Sequence, residues 1–163
     1  MDLLQKEVGF CKRCYRSTEV KNVEMLCDIC SNSKRLAHLI AVIEKESDMQ
    51  NLEKTGSFQG QYHVLGGVIN PLDSDSPRRL HLKSLYERIQ QTLATQQKCE
   101  VILATNPTTE GDTTALYIER ILSSLKNTNP SLSISRLGRG LSLGSELEHV
   151  DEMTLRNAFI NRK

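Results

Sequence analysis

Two close pairs of cysteines near the start of the sequence constrain the fold more than any other feature. Cys11 and Cys14 form one Cys-x-x-Cys pair, and Cys27 and Cys30 form a second pair after twelve intervening residues. This spacing is typical of a zinc ribbon, in which the ion closes a loop too short to hold an apolar core of its own. The competing interpretation is four cysteines simply buried in a core, which rarely takes this spacing. Because four thiolates leave no open coordination position, the pattern predicts one structural Zn²⁺.

Length and charge narrow the class of protein. The chain has 163 residues, 38% of them hydrophobic and 25% charged, and no apolar run approaches the roughly 18 residues that span a bilayer. We therefore expect a soluble chain of one ordinary domain and a small module, with its cysteines kept reduced in a cytoplasm. The formal charge of +1 becomes roughly −1 with a four-thiolate zinc site. Any DNA binding must then come from a local patch or from several subunits, and it should weaken steeply with salt.

A second informative stretch joins a buried strand to a helix through an acidic turn. Val101 to Ala104 is a short apolar run, typical of a strand covered on both faces in a parallel sheet. Asn106-Pro107 breaks the strand, and Thr108 or Thr109 can cap the following helix. Glu110 and Asp112 then lie in the first helical turn, where the helix dipole favours negative charge. Such strand-to-helix turns are where α/β proteins place their sites.

Other segments extend this α/β pattern. Residues 39–43 predict a strand that ends at Glu44, followed by a short helix; residues 62–67 predict a second strand, and 132–137 an edge strand. Apolar residues at helical spacing predict helices from residue 82 to 93 and after Asp151. Leu3, Leu4 and Val8 predict a short amphipathic helix at the start of the chain.

The acidic turn resembles the second signature of the Toprim domain, the metal-binding α/β module of topoisomerases, primases and some nucleases. That signature runs Asp-x-Asp-x-x-Gly-Glu, and its two aspartates hold a magnesium ion. Here Asn106 and Thr108 stand at the aspartate positions, Gly111 is kept and Asp112 replaces the glutamate. An amide and a hydroxyl in place of two carboxylates should largely remove the ion.

A zinc ribbon followed directly by a Toprim domain resembles the RecR family of bacterial recombination mediators. The resemblance covers residues 11 to 162 and is carried by Cys27-Asp28-Ile29-Cys30, Asn70-Pro71-Leu72-Asp73, the Asn106-Pro107-Thr108 turn and Gly140-Leu141-x-x-Gly144. After the short N-terminal helix predicted above (1–10), it implies an α/β chain built from a four-cysteine zinc ribbon (11–36), a Toprim domain (37–140) and a C-terminal Walker B-like segment and helix (141–163). No phosphate-binding Gly-x-x-x-x-Gly-Lys-[Ser/Thr] loop is present, so we expect no ATP hydrolysis.

The resemblance also implies a function without catalysis. A RecR-like protein helps to load recombinase at single-stranded DNA gaps together with RecO-type and RecF-type proteins, in the bacterial cytoplasm at the nucleoid. Glu44 and Asp48 are then expected to meet the RecO-type partner, although Asp48 is also an ordinary charge for a helix start. The family's N-terminal helix-hairpin-helix domain has no counterpart in this sequence. We therefore expect weak DNA binding by this chain alone, and a dimer rather than a closed ring.

Candidate DNA contacts are five basic residues in two groups. They are Arg78, Arg79 and Lys83 at a helix start, and Arg136 and Arg139 near a glycine-containing loop. Guanidinium and ammonium groups suit phosphate contact. A plain solvated surface explains both groups as well.

Two other functions remain open from the sequence. A metal-dependent nuclease or other phosphoryl-transfer enzyme would use Glu44, Glu110 and Asp112 around a weakly held ion. A DNA-binding zinc ribbon with a passive α/β partner would concentrate DNA affinity in residues 1 to 36.

Overall fold

The main body of the protein is a four-stranded parallel sheet. In the computed structural model, which describes residues 8–19 and 25–162, the strands are β3 (Leu36–Ile43), β4 (Gly60–Val64), β5 (Cys99–Leu103) and β6 (Leu132–Arg136). Their order in the sheet is β4-β3-β5-β6, and every neighbouring pair is parallel. Parallel neighbours need crossovers, which the helices α2 (Glu46–Lys54), α3 (Leu82–Gln96) and α4 (Thr109–Thr128) supply. The predicted α/β class and its strands are confirmed.

Successive side chains of the central strands point to opposite faces of the sheet, so the core has two parts, one on each face. Ile40 and Val42 point to one face, where they join the apolar stripes of α3 and α4. Ala41 and Ile43 point to the other face, where they pack with Met49 of α2 and with the cysteines. The four-cysteine segment therefore shares an apolar core with the sheet, because α2 alone is too short to cover that face.

The N-terminal part of the chain forms a small module around the cysteines. It contains an antiparallel pair, β1 (Val8–Phe10) and β2 (Ser17–Glu19), and a short helix, α1 (Asp28–Ser31). The helix predicted from Leu3, Leu4 and Val8 falls mainly on residues outside the described ranges, and Val8 itself lies in a strand. Pairing with Glu19 favours that strand, since a single amphipathic turn is not stable alone.

The chain ends in a less enclosed segment. After β6 it runs through residues 137–151 to α5 (Glu152–Ile160), whose cap is Asp151. The apolar side chains of Met153, Phe159 and Ile160 remain largely exposed. Within the described ranges, no helix has the length and apolar character needed to cross a membrane.

Candidate metal centre and the carboxyl edge of the sheet

The four predicted cysteines converge on one point. Their Sγ atoms all lie within 4.8 Å of one another, and all four residues are buried. The sulfurs of Cys14 and Cys27 are 3.6 Å apart. A tetrahedral ion with Zn–S bonds of about 2.3 Å would hold its sulfurs about 3.8 Å apart. The cluster therefore has the dimensions and the donor set to bind a thiophilic divalent ion.

Local backbone geometry prepares these sulfurs to carry negative charge. The Cys27 N–H donates to Cys11 Sγ at 3.4 Å, and the Cys30 N–H donates to Cys27 Sγ at 3.5 Å. Hydrogen bonding with Cys14 holds the pKa of Cys11 far below its usual range, whereas hydrogen bonding with Cys11 raises the pKa of Cys30. The close sulfurs thus favour ionisation of Cys11 and oppose that of Cys30. A bound cation would remove this competition, because it lets all four sulfurs ionise.

The module is attached to the sheet along strand β4. The Val64 N–H donates to Cys14 O at 2.9 Å, so the first knuckle continues the hydrogen bonding of the sheet. Arg88, on α3, donates to Tyr62 O at 2.6 Å and to Arg13 O at 3.2 Å. The Tyr15 ring stacks on the ring of His81, with centroids 4.0 Å apart. Strand, helix and knuckle are held together at this seam.

A second group of polar side chains stabilises the far end of the same strand. Arg35 donates to Glu53 Oε1 at 2.9 Å and to Gly60 O at 3.3 Å, and the Tyr62 hydroxyl donates to Glu53 Oε1 at 2.6 Å. The hydrogen bond from Arg35 holds the pKa of Glu53 below its usual range. Burial raises the pKa of Tyr62 above its usual range, so the tyrosine remains a donor.

At the carboxyl edge of the sheet, Glu44 is bound to the turn that follows β5. Its Oε1 accepts from the Asn106 backbone N–H and its Oε2 accepts from Asn106 Nδ2, both at 2.7 Å. Glu44 is only 3% exposed. The sequence predicts both residues at this edge, and the structure brings them into direct contact. Both carboxylate oxygens of Glu44 are thereby turned inward, toward an amide.

Gly111 is required by this contact. A Cβ at this position would overlap Asn106 O and lie 2.9 Å from Glu44 Oε1. Thr108 caps α4 by accepting from the Gly111 N–H at 3.0 Å, which confirms the first of the two predicted caps. The glycine of the Toprim-like turn therefore serves the close approach of backbone and carboxylate.

Asp48 lies at the start of α2, beside the turn. Its Oδ2 accepts from the Lys45 backbone N–H at 3.0 Å, which is the helix-start role considered above. Asp48 is only partly buried and also lines a groove of about 650 Å³ with Asn106, Arg139 and Asn157. Glu44 and Asp48 thus share a rim of the sheet but differ in access, because only Asp48 faces the groove.

The five basic candidates form two separate groups, and each residue has a carboxylate neighbour. Arg78 pairs with Asp75 at 3.2 Å, Arg79 with Asp73, and Lys83 with Glu87 at 3.8 Å. Across the sheet edge, Arg136 Nε donates to Glu119 Oε1 at 2.8 Å and Arg139 pairs with Asp112. The hydrogen bond from Arg139 holds the pKa of Asp112 below its usual range.

Arg88, which is buried at the seam between the module and the sheet, was not among the residues predicted from the sequence. The signal was its position: it lies three residues after Leu85 and one before Ile89, inside the apolar stripe of α3. A charged residue within such a stripe indicates a buried polar contact.

Comparison with known proteins gives two family matches and a set of similar chains. The Toprim domain model matches residues 38–137, and the model of the RecR C-terminal region matches residues 140–163. The chain is 42% identical over 155 residues to the recombination protein RecR of Prochlorococcus marinus strain MIT 9515, covering 95% of this chain and 71% of that protein. It is 40% identical over 159 residues to RecR of strain MIT 9313, covering 98% of this chain and 77% of that protein. It is 43% identical over 157 residues to RecR of Parasynechococcus marenigrum strain WH8102, covering 96% of this chain and 74% of that protein.

Proposed function

The chain belongs to the RecR family of recombinational repair mediators, and from that premise we propose that it acts without catalysis, by binding DNA and repair proteins. Its partners are RecO-type and RecF-type proteins, with which it helps to load recombinase at single-stranded gaps. It works in the bacterial cytoplasm, as a dimer rather than a closed ring. One Zn²⁺, held by Cys11, Cys14, Cys27 and Cys30, has a structural role.

The observation that carries this proposal is the pairing of Glu44 with Asn106. A Toprim enzyme needs an acid or base beside an ion held by two carboxylates. Here the carboxylate that would do proton transfer is buried and accepts two hydrogen bonds from Asn106, itself at the first ligand position. The N–H groups of Asn106 therefore occupy the two carboxylate oxygens that a substrate or an ion would otherwise engage.

The remaining carboxylates of the turn support the same conclusion. Asp112 accepts hydrogen bonds from Arg139 and lies 3.7 Å from Arg136 Nη1, so two guanidiniums oppose cation binding there. Glu110 is exposed on the first turn of α4. The nuclease alternative would need Glu44, Glu110 and Asp112 to turn toward one ion, at the expense of these contacts.

The partner surface in this proposal is the groove beside Asp48. Asp48 faces the groove and can meet a basic group of a RecO-type protein, while Glu44 contributes by fixing the Asn106 turn that also lines the groove. The role of Glu44 is therefore to hold the shape of this surface from behind.

Weak DNA binding follows from the pairing of the basic residues. A phosphate that approaches Arg78, Arg79 or Lys83 competes with an existing carboxylate partner, and the same is true of Arg136 and Arg139. Exposed pairs of this kind are worth only about 0–1 kcal/mol, so DNA can displace them at low salt.

A binding titration against a RecO-type protein tests the proposal. Asp48→Asn removes the charge but keeps an oxygen for the Lys45 N–H, so it should weaken binding without loss of fold. Glu100→Gln is the matched control, because Glu100 is exposed at the opposite end of β5. Equal loss in both variants, or none in either, would exclude the groove as the partner surface.

A nicking assay separates the enzymatic alternative. The wild-type chain and Glu44→Gln are incubated with supercoiled DNA and Mg²⁺ or Mn²⁺. We expect no nicking by either protein. Metal-dependent nicking that is lost in Glu44→Gln would overturn the non-catalytic proposal.

A further inference from the structure

Arg88 is a buried cation that has no carboxylate partner within the described residues. It is 8% exposed, and the oxygens that its guanidinium contacts are all neutral: Arg13 O, Tyr62 O and Gln61 Oε1, the last at 2.9 Å. By contrast, each of the four arginines named as candidate DNA contacts has a carboxylate within 4 Å. Burying a charge without a counter-charge costs several kcal/mol. A negatively charged group elsewhere in the structure is therefore needed to offset this cost.

The cysteine centre, which Arg88 approaches through its hydrogen bond to Arg13 O, can provide this balance. Four thiolates around one divalent ion carry a net charge of about −2. Burial lowers the pKa of Arg88, and negative charge on the cysteine sulfurs would oppose that effect. Each buried ion would be unfavourable alone, and together they compensate each other.

The contacts of Arg88 place it across the seam between the module and the sheet. Its Nη1 bonds both to Arg13 O, inside the Cys11-x-x-Cys14 knuckle, and to Tyr62 O on β4. Arg13 in turn donates from Nη1 to Cys30 O at 3.0 Å, which links the two knuckles. A short chain of hydrogen bonds therefore connects the guanidinium to both cysteine pairs.

From these contacts we infer that Arg88 is the counter-charge of the metal–thiolate centre, and that this pairing fastens the four-cysteine module to the sheet. Arg88 is a positioning residue, and it touches no metal-ligating atom. The inference rests on the zinc ion of the proposed function. Bound metal then keeps the four-cysteine module docked on the sheet, because loss of the ion leaves the guanidinium of Arg88 without its counter-charge.

Two substitutions separate the charge of Arg88 from its hydrogen bonds. Arg88→Lys keeps the charge and loses the fork of donors, whereas Arg88→Gln keeps donors and loses the charge. Zinc affinity of the full chain is measured by competition with a chromophoric chelator. We expect Arg88→Gln to lose about 10–100-fold in affinity, the usual effect of changing a residue that supports metal ligands. Arg88→Lys should remain within a few fold of the wild type.

Arg120→Gln and Arg120→Lys are matched controls, because Arg120 is exposed on α4. Equal affinities for Arg88→Gln and Arg88→Lys would overturn the inference while leaving zinc binding itself in place. A chain that binds no zinc at all would instead overturn the proposed cofactor. Should Arg88→Gln fail to fold, the lysine variant still decides, since a loss above tenfold there would mean that hydrogen bonds rather than charge matter.

Hydrogen exchange tests the docking itself. The Val64 N–H donates to Cys14 O across the seam, and the Leu65 N–H donates to Ile43 O inside the sheet. Chelation of the metal should speed exchange at Val64 much more than at Leu65, and Arg88→Gln saturated with zinc should show the same selective change. Unchanged exchange at Val64 in both cases would refute the coupling between metal and docking.

Discussion

Replacing Asn106 by aspartate should convert the most distinctive contact of the turn into a repulsive one. Asn106 Nδ2 donates to Glu44 Oε2 at 2.7 Å, and Asn106→Asp places an acceptor oxygen there instead. The backbone N–H bond from residue 106 to Glu44 Oε1 remains. Aspartate and asparagine have nearly the same size and shape, so the effect of the substitution is electrostatic.

Two independent routes give the size of this effect. Loss of a hydrogen bond to a charged group costs about 1.5–3 kcal/mol. If the two carboxyl groups instead share a proton, holding it at pH 7 against an ordinary carboxyl pKa of about 4 costs about 1.4 kcal/mol for each of three units, or about 4 kcal/mol. Asn106 is exposed to solvent, and solvent weakens the repulsion between the two carboxylates. We therefore expect a destabilisation of about 2–4 kcal/mol at pH 7.

The pH dependence has a definite sign. The folded variant would bind more protons than the unfolded chain between about pH 4 and pH 7, so its stability falls as pH rises through this window. The assay is urea unfolding of wild type and variant at pH 5 and pH 7, with the exposed Asn127→Asp as control. A variant that is as stable as the wild type at both pH values would refute a stabilising contact between residue 106 and the buried Glu44.

Magnesium provides an extension of the same experiment. Asn106→Asp with Thr108→Asp restores the two carboxylates of the Toprim signature beside Glu44. Millimolar Mg²⁺ should then recover part of the lost stability, because an ion that binds only the folded state stabilises it. The wild type should show no such response.

Three further predictions concern other parts of the structure. Gly111→Ala should cost more than about 2 kcal/mol in urea unfolding because its Cβ would collide with the turn, whereas Gly138→Ala, with nothing within 4 Å of its Cβ, should cost little. Cys11→Ser should lower zinc affinity and abolish the stabilisation that added zinc gives to the wild type in thermal unfolding. Glu53→Gln should cost about 1–2 kcal/mol at pH 7 and less as pH falls toward the lowered pKa of Glu53, where protonation removes its pairing with Arg35; pH-dependent unfolding of both proteins measures this.

The sequence predicted features that depend on local spacing, and it missed those that depend on contacts across the fold. Cysteine spacing located the four-cysteine cluster because each knuckle is built from neighbouring residues. Apolar periodicity located the strands and helices of the sheet domain. It gave no warning that Asn106 would bond to Glu44, since these residues are distant in sequence and meet only because β3 and β5 are neighbours. Val8 was misassigned because a two-stranded pair of three residues each has too little pattern to distinguish from a helical turn.

The contacts along β4 have a consequence for how copies of this chain can associate. An edge strand normally exposes alternate backbone groups that invite pairing with a strand of another molecule. Here three of the outward groups of β4 are already used: Gly60 O by Arg35, Tyr62 O by Arg88, and the Val64 N–H by Cys14 O. These contacts obstruct strand addition at that border, so β6 is the more accessible border, among the described residues, for intermolecular extension of the sheet. Release of the cysteine module would reopen the β4 border and expose the protein to edge-to-edge aggregation.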